Sequence, residues 1–368
     1  MFTLYISLGI VYQALLLTLY YASKKSTSET DIQGQEGVSI ILPFRNESAH
    51  LERCLTSIAK LNYPIFEVLC IDDHSSDDSQ GIAQMCKEKF PHVSIRILSS
   101  SGQGKKAAVS YGVSQSSYVL ILTTDADCIF PEDWIQTMLA AMGPDVQMVA
   151  GPVMSQRKGG FFQGFQQLDW ASIALMTKAA INLHQPLMCS AANMLYRKAA
   201  FETVKGFQGN EQILSGDDEF LLKKIVVYYG AEAVNYQGNP KALVYTEPMP
   251  TWSALFQQRI RWASKWKAHG WNIHALASLI PVALQALFLC LFFLPFLRPD
   301  LWGLACLLLL FKLLGERFVL GQVLKSYGIT HALSVWLGTS LIHPAYVLAT
   351  GFQTFFRKIE WKGRKSSQ

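Results

Sequence analysis

Between Phe2 and Tyr21 the sequence has no charged residue at all, and nowhere does it carry a CxxC pair or a Cys/His spacing that holds a metal. At about 1.5 Å per residue the uncharged run spans about 30 Å as a helix, the thickness of a bilayer core. It lacks a basic leading segment and is longer than the apolar stretch of a secretory signal, so an uncleaved membrane anchor is expected. Lys24 and Lys25 follow at once, and positive charge beside a span stays on the cytoplasmic side. The globular part is therefore expected in the cytoplasm, where the seven cysteines stay reduced and serve as core or lipid-facing residues. His74, His184, His269 and His343 have no partner at ligand spacing and read as non-metal residues. Also missing is a basic tail interleaved with aromatics, which argues against nucleic acid as a partner. The net charge of +5 gathers instead near membrane ends, at Arg259, Arg261, Lys265 and Lys267 and again from Arg357 to Lys365. That placement suits anionic lipid headgroups.

What is present divides the 368 residues by composition. Gly37 to Ala268 is an ordinary mixed globular sequence, and a second apolar block fills most of Leu276 to Phe356. Within that block, Ala275 to Leu297 and Val335 to Phe356 read as membrane spans. Leu301 to Leu324 is apolar but contains Lys312, Glu316 and Arg317, which are unfavourable in lipid unless paired or turned inward. Counting it as a span sends the basic C-terminal tail outside, against the positive-inside tendency. Two and three C-terminal spans thus both stay open. The expected boundaries are an anchor at 1–25, a linker at 26–36, a globular domain at 37–250, an interfacial amphipathic helix at 251–272, a transmembrane region at 273–356 and a basic tail at 357–368.

Strand and helix signals alternate through the globular part. "VSIIL" (38–42), "FEVLCI" (66–71), "VSIRIL" (93–98) and "YVLIL" (118–122) read as strands, separated by helices over 47–61, 77–90 and 104–113. This alternation implies βαβ units and a mostly parallel sheet, in which ligands sit at the carboxyl ends of the strands. The polar clusters fall at those ends: "PFRNES", "DDHSSDDS", "SGQGKK" and "TTDADC". Each alone is ordinary turn and helix-cap chemistry. Four in succession make one wall of a binding site.

Within that wall, strand periodicity puts Asp125 and Asp127 on one face, where two carboxylates need a cation to offset their repulsion. A hard divalent ion, Mg²⁺ or Mn²⁺, takes a few carboxylate oxygens and completes its shell with substrate phosphates. Asp72 and Asp73 end the second strand, where an acidic side chain accepts from a ribose hydroxyl or a base N–H. Lys105 and Lys106, beside Gly102 and Gly104, are placed to bring ammonium groups to a phosphate.

The set "VSIILPFRNE", "IDDHSSDDS", "GKKAAV", "TTDADC", "SGDDEFLL" and "QQRIRW" resembles, in order and spacing, the family 2 glycosyltransferases of the GT-A fold. That group includes the cellulose, chitin, hyaluronan and poly-N-acetylglucosamine synthases, and the likeness covers Val38 to Trp262. It implies an α/β, Rossmann-like nucleotide-sugar-binding domain with one N-terminal and two to three C-terminal transmembrane helices. It further implies inverting transfer from a nucleotide diphosphate sugar, usually a UDP-sugar, with a divalent metal. By this resemblance Pro43, Arg45 and Glu47 line the nucleotide pocket, and Asp72 or Asp73 meets the uracil. Lys105 approaches the donor, Asp125 faces the donor sugar or ribose, and Asp127 holds the metal.

Gly216-Asp217-Asp218-Glu219 matches the acceptor-site motif that usually reads Thr-Glu-Asp, which makes Asp218 the expected general base and Asp217 an acceptor-side residue. Inversion by one displacement requires such a carboxylate opposite the leaving group. The same acids would also suit a helix N-terminus electrostatically. Gln258, Arg261 and Trp262 reproduce Gln-x-x-Arg-Trp. Gln258 and Arg261 are i and i+3 neighbours on a helix and could engage a diphosphate together, while the indole offers an acceptor sugar a stacking face. The helix also reads as one lying among headgroups, anchored by Trp262, Lys265 and Trp266. "VAGPV" (149–153) reads as a fifth strand, and Asn193 and Arg197 as supporting residues.

Few C-terminal spans suit a lipid or lipid-linked hydroxyl acceptor, which needs no polymer channel. The expected reaction is thus a single transfer at a multi-pass cell-membrane protein, with a processive poly-N-acetylglucosamine-type synthase as the alternative. An inactive nucleotide-sugar-binding scaffold need not keep Asp218 and the Trp262 motif together. A nucleotidyltransferase would leave both without a purpose.

Overall fold

The computed structural model describes residues 1–24, 36–211, 213, 216–264, 273–356, 360–361 and 364–365. The linker apart from Glu36, His269, Lys265 to Lys267 and most of the basic tail lie outside these residues. Two compact units emerge. An α/β unit comprises Lys25–Gln156, Ala180–Glu247 and Glu360–Gln368, and a helical unit comprises Met1–Lys24, Arg157–Ala179 and Pro248–Ile359.

In the α/β unit the first four strands are β1 (Val38–Phe44), β2 (Phe66–Asp72), β3 (Ser94–Ser99) and β4 (Leu120–Thr123). They alternate with α1's successors α2 (Leu51–Ile58), α3 (Ser79–Lys89) and α4 (Lys105–Gln115), where α1 is the N-terminal helix Phe2–Lys24. Next come β5 (Cys128–Ile129), α5 (Trp134–Leu139), β6 (Met148–Ala150) and β7 (Val153–Ser155). After α6 (Gly160–Asn182) follow β8 (Met194–Arg197), α7 (Lys198–Thr203), α8 (Asp217–Tyr229), β9 (Val234–Tyr236) and β10 (Val244–Thr246).

The main sheet has the order β3-β2-β1-β4-β8-β6-β9. Its first four strands are parallel, with Val38 opposite Phe66 and Leu120. Only β8 runs against its neighbours β4 and β6. All seven residues of β1 are buried, as expected for a strand covered on both faces. One face packs Ile41, Leu69, Ile71 and Ile121 against Ala108, Val109 and Val113 of α4 and Leu221, Leu222 and Ile225 of α8. The stretch expected as a fifth strand instead breaks at Gly151-Pro152. Its two halves join different sheets, β6 the large one and β7 a three-stranded sheet of order β5-β10-β7, because proline supplies no ladder donor.

A buried carboxylate ties β1, β2 and β3 together. Glu67 of β2 accepts from Ser39 Oγ (2.7 Å) and Ser117 N (2.6 Å), with Arg96 at 3.3 Å. Desolvation pushes its pKa up, but the hydrogen bonds from Ser117 and Ser39 and the Arg96 contact outweigh it and hold the pKa below the usual value.

The helical unit contains α1, most of α6, α9 (Trp252–Ala263), α10 (Ile273–Phe293), α11 (Trp302–Ser326) and α12 (Leu333–Phe356). Among the described residues, Phe2–Lys24 and Leu279–Phe296 are long and apolar enough to cross a membrane. α11 is continuous for 25 residues, and two of its charges are turned inward: Lys312 and Glu316 are buried and ion-paired, while Arg317 is exposed. Glu316 also accepts from Tyr12 of α1 (2.6 Å) and Ser340 of α12 (2.5 Å), so the pair ties three helices together. Residues 157–179, inside the span expected as globular, group here because Phe165 packs with Leu255 of α9 and Tyr346 of α12.

Candidate active site

The carboxyl ends of β1 to β4 lie side by side, and their loops are bonded to one another. Arg45, just beyond β1, donates to the carbonyls of Asp73 and His74, both at 2.7 Å. Glu47 N donates to Ser79 Oγ (2.8 Å), and Ser48 N donates to the Asp77 carboxylate (3.0 Å). Asp73, beyond β2, accepts from Gly104 N at 2.9 Å. Gly104 has φ +94°, a conformation that glycine adopts without strain just before α4 begins. Asp72 accepts from Ser75 N at 2.9 Å, and Pro43 is buried within β1. Each loop thus fixes the next, and the polar clusters form one surface.

The two aspartates come together by a different route from the one expected. β4 stops at Thr123, and Asp125 to Cys128 form a turn closed by Cys128 N donating to the Asp125 carbonyl at 3.2 Å. Strand alternation therefore does not apply to them; the turn juxtaposes the carboxylates. Asp127 accepts from Thr246 Oγ1 (2.9 Å) of β10 and from Cys128 Sγ (3.5 Å). Burial, then the negative charges of Asp125 and Glu47, push its pKa up to about 6. This is a desolvated anionic site short of positive charge, the environment a hard cation relieves. No group of three His, Cys, Asp or Glu side chains with metal-ligand geometry occurs among the described residues. The donor set fits a divalent ion only with substrate oxygens completing the shell.

Lys105, the first residue of α4, joins the halves of the site. Its Nζ lies 2.6 Å from Asp125 and 3.0 Å from Asp217. Burial lowers the pKa of this ammonium, but the charges of Asp125 and then Asp217 more than compensate and raise it above the ordinary lysine value. Its neighbour Lys106 does not face the same way. Lys106 Nζ donates to the Asn210 carbonyl at 2.6 Å and sits 4.5 Å from the Phe220 ring, so its charge is spent inside the fold.

Asp217 and Asp218 open α8 behind Gly216, which has φ +87°. Asp217 is buried against Lys105. Asp218 is half-buried, and its Oδ1 accepts from Glu219 N at 2.7 Å. The structure thus brings Lys105, Asp125, Asp127 and Asp217 together, with Asp218 one residue along.

Gln258, Arg261 and Trp262 lie on α9 in the helical unit. Between them sits Arg259, which sequence spacing alone treats as filler. It is 7% exposed, bonds Asp169 of α6 at 2.7 and 2.8 Å and donates to Gln258 Oε1 at 2.5 Å. Its guanidinium lies 4.2 Å from the Trp262 ring and 5.3 Å from that of Trp170. The signal for this pair was Asp169 itself, a lone charge in the apolar run "FFQGFQQLDWASIAL". Asn193 is fully buried and binds the Pro152 and Ala242 carbonyls while accepting from Trp134 Nε1. Arg197 bonds the Val146 and Gly143 carbonyls.

A Rossmann-like sheet that gathers an Asp-x-Asp turn, a lysine and an acidic helix start is the architecture of the GT-A glycosyltransferases. The fold matches that of a mannosyltransferase from Pyrobaculum calidifontis, solved with GDP-Man and Mn²⁺, with a TM-score of 0.59 at 17% identity, covering 96% of this chain and 99% of that one. The family model Glycosyl transferase family 2 matches residues 39–205, so the chain carries a glycosyltransferase domain of that family. It is 27% identical over 242 residues to a poly-beta-1,6-N-acetyl-D-glucosamine synthase of Staphylococcus epidermidis, covering 64% of this chain and 56% of that protein. A synthase of the same name from Staphylococcus aureus strain COL is 24% identical over 266 residues, covering 71% and 62% respectively. The chain thus spans less than two thirds of the length of these relatives.

Proposed function

We propose that the protein is an inverting glycosyltransferase that moves a sugar from a nucleotide diphosphate sugar, a UDP-sugar, to a hydroxyl of a membrane-associated lipid or lipid-linked glycan. The observation that carries this reading is the bridge Asp125–Lys105–Asp217, which links the Asp-x-Asp turn to the helix start that bears Asp218. Asp127, with Asp125, would hold Mg²⁺ or Mn²⁺, which when bound neutralises charge on the departing diphosphate. Arg45 and Glu47 order the loops around the nucleotide, beside Pro43 at the end of β1, and Asp72 or Asp73 receives the base. Lys105, held by two carboxylates, supplies a fixed positive charge next to the diphosphate. Asp218 takes the proton from the acceptor hydroxyl as that oxygen attacks the sugar carbon on the face opposite the leaving group. Asp217 keeps the acceptor side in register through Lys105. The family resemblance assigns Gln258 and Arg261 to the diphosphate and Trp262 to an acceptor sugar.

The apolar segments Phe2–Lys24 and Leu279–Phe296 support a multi-pass cell-membrane protein, and Lys24 beside the first supports a cytoplasmic catalytic unit. Domain limits of 37–250 for the catalytic part, 251–272 for the interfacial helix and 273–356 for the membrane region follow from the same reading. The second reading is processive synthesis of a poly-N-acetylglucosamine-type polymer, favoured by the names of the staphylococcal relatives.

The test uses membranes containing the full chain, a panel of UDP- and GDP-sugars, Mg²⁺ or Mn²⁺, and extracted host lipids. Nucleotide release is followed, and the lipid products are weighed by mass spectrometry. A single added sugar on a lipid supports transfer, whereas a ladder of products supports the synthase. Asp218→Asn should lower turnover by about 10²- to 10⁴-fold. The mechanism is wrong if no nucleotide sugar supports acceptor-dependent release, or if Asp218→Asn is as active as the parent.

A further inference from the structure

Inside the helical unit, residues of α1, α6, α10, α11 and α12 line a partly open cavity of about 150 Å³. Its wall is mostly apolar, with Leu16, Leu175, Met176, Leu284, Leu320 and Trp336 among the residues that line it. A cavity of about this size between apolar side chains accommodates a six-carbon molecule.

Two polar atoms in the wall have no partner. Gln285 Oε1 and Thr339 Oγ1 are buried without a hydrogen bond, on residues only 5% and 7% exposed. A buried polar atom left without a hydrogen bond is unfavourable, so two such atoms on residues that line one cavity call for a ligand. Gln285 Oε1 is an acceptor and needs a donor. Thr339 Oγ1 can give or take a proton. A hydroxyl satisfies both kinds of atom, whereas a bare hydrocarbon satisfies neither.

The charged groups narrow the choice. Glu316 lines the cavity, but its carboxylate is already occupied by Lys312, Tyr12 and Ser340. His343 also lines it, with Nε2 3.8 Å from Asp169. Among the described residues no lysine or arginine lines the wall, so no permanent cation among them offsets the charge of a phosphate or a carboxylate.

We propose that this cavity binds a neutral lipid alcohol, with a segment of about six carbons in the void and its hydroxyl between Gln285 and Thr339. The site is separate from the sugar-transfer reading and needs no donor, metal or turnover for its occupancy. It gives the membrane part a ligand specificity that the Asp-x-Asp turn does not.

The test reconstitutes the purified full chain in phosphatidylcholine vesicles with a photoactivatable C16 primary alcohol and maps the labelled peptides by mass spectrometry. Label should fall on Pro281 to Gln285 and Trp336 to Thr339, and unlabelled hexadecanol should compete at least fivefold better than hexadecyl phosphate. Met176→Trp, which fills the void, should abolish this labelling. Thr339→Val, which is nearly isosteric, and Gln285→Leu should each weaken competition about fivefold, the worth of one hydrogen bond. Label confined to exposed positions such as Leu297 and Phe352 would overturn the proposal. So would equal competition by the phosphate ester, or competition unchanged in both polar variants, which would mark the cavity as a water site.

Discussion

Replacing Lys105 by methionine keeps the length of the side chain and removes its charge. The Asp217 partner is well buried, with its side chain 12% exposed, so stranding that carboxylate sits at the low end for a broken buried pair, about 3 kcal/mol. Asp125 is more than a third exposed and adds no more than about 1 kcal/mol. The expected loss is therefore about 3–4 kcal/mol for Lys105→Met, and much less for the double variant Lys105→Met/Asp217→Asn, which leaves no buried charge unmatched. The assay is the unfolding midpoint of the purified full chain in detergent for the parent, both single variants and the double variant, with nucleotide release measured on the same samples. The cycle should give a coupling of about 1–3 kcal/mol, in the range for residues in direct contact. Lys105→Arg should keep part of both stability and turnover. If the single effects add to within about 0.5 kcal/mol, the bridge does not join the two acidic segments, and the reading of the site built on it is wrong.

Glu67 has a folded pKa below its unfolded value, so its contribution to stability is complete above the unfolded value near 4.5 and is lost as pH falls through the lower folded value. Urea unfolding of the parent should thus weaken steeply in that acid window, whereas Glu67→Gln should be less stable at pH 7 and flatter below it. A Cβ at Gly151 would lie 2.2 Å from the Asn193 amide, which is held by three hydrogen bonds. Gly151→Ala should lower stability by at least about 2 kcal/mol, read as a shifted denaturation midpoint. Lys312→Met should destabilise the helical unit by about 3 kcal/mol by leaving the Glu316 carboxylate buried without its cation, held only by Tyr12 and Ser340, and adding Glu316→Gln should restore most of it, measured as heat resistance in detergent.

The strands of the α/β unit were legible because strands buried on both faces must be nearly continuous apolar runs, and the loops at their ends had to be polar. The grouping of Lys105, Asp125 and Asp217 was partly legible, since family spacing marks each residue but says nothing about a lysine standing between two acids. Geometry set by turns was not legible. Asp125 and Asp127 look like strand alternation in sequence, yet a turn defined by one backbone bond brings them together. Lys105 and Lys106 look equivalent in sequence, but consecutive helical residues point about 100° apart, so only one can reach the carboxylates. The break at Gly151-Pro152 was hidden because both halves of "VAGPV" are good strand residues that belong to different sheets.

Arg259 shows what a motif leaves out. Gln-x-x-Arg-Trp fixes Gln258, Arg261 and Trp262 and treats the positions between as free, yet Arg259 bonds Gln258 and lies over the Trp262 ring. A guanidinium can do both at once because its edge donates in a plane while its face stacks on an indole; a lysine could do only one. Its position is set in turn by Asp169, a buried acid that would be strongly unfavourable without that partner. The motif residues are therefore held by a charge pair that spacing does not record. Losing Asp169 would disturb Gln258 and Trp262 without altering either of them, and a reading of the motif that counts only its named positions would assign that effect to the wrong residues.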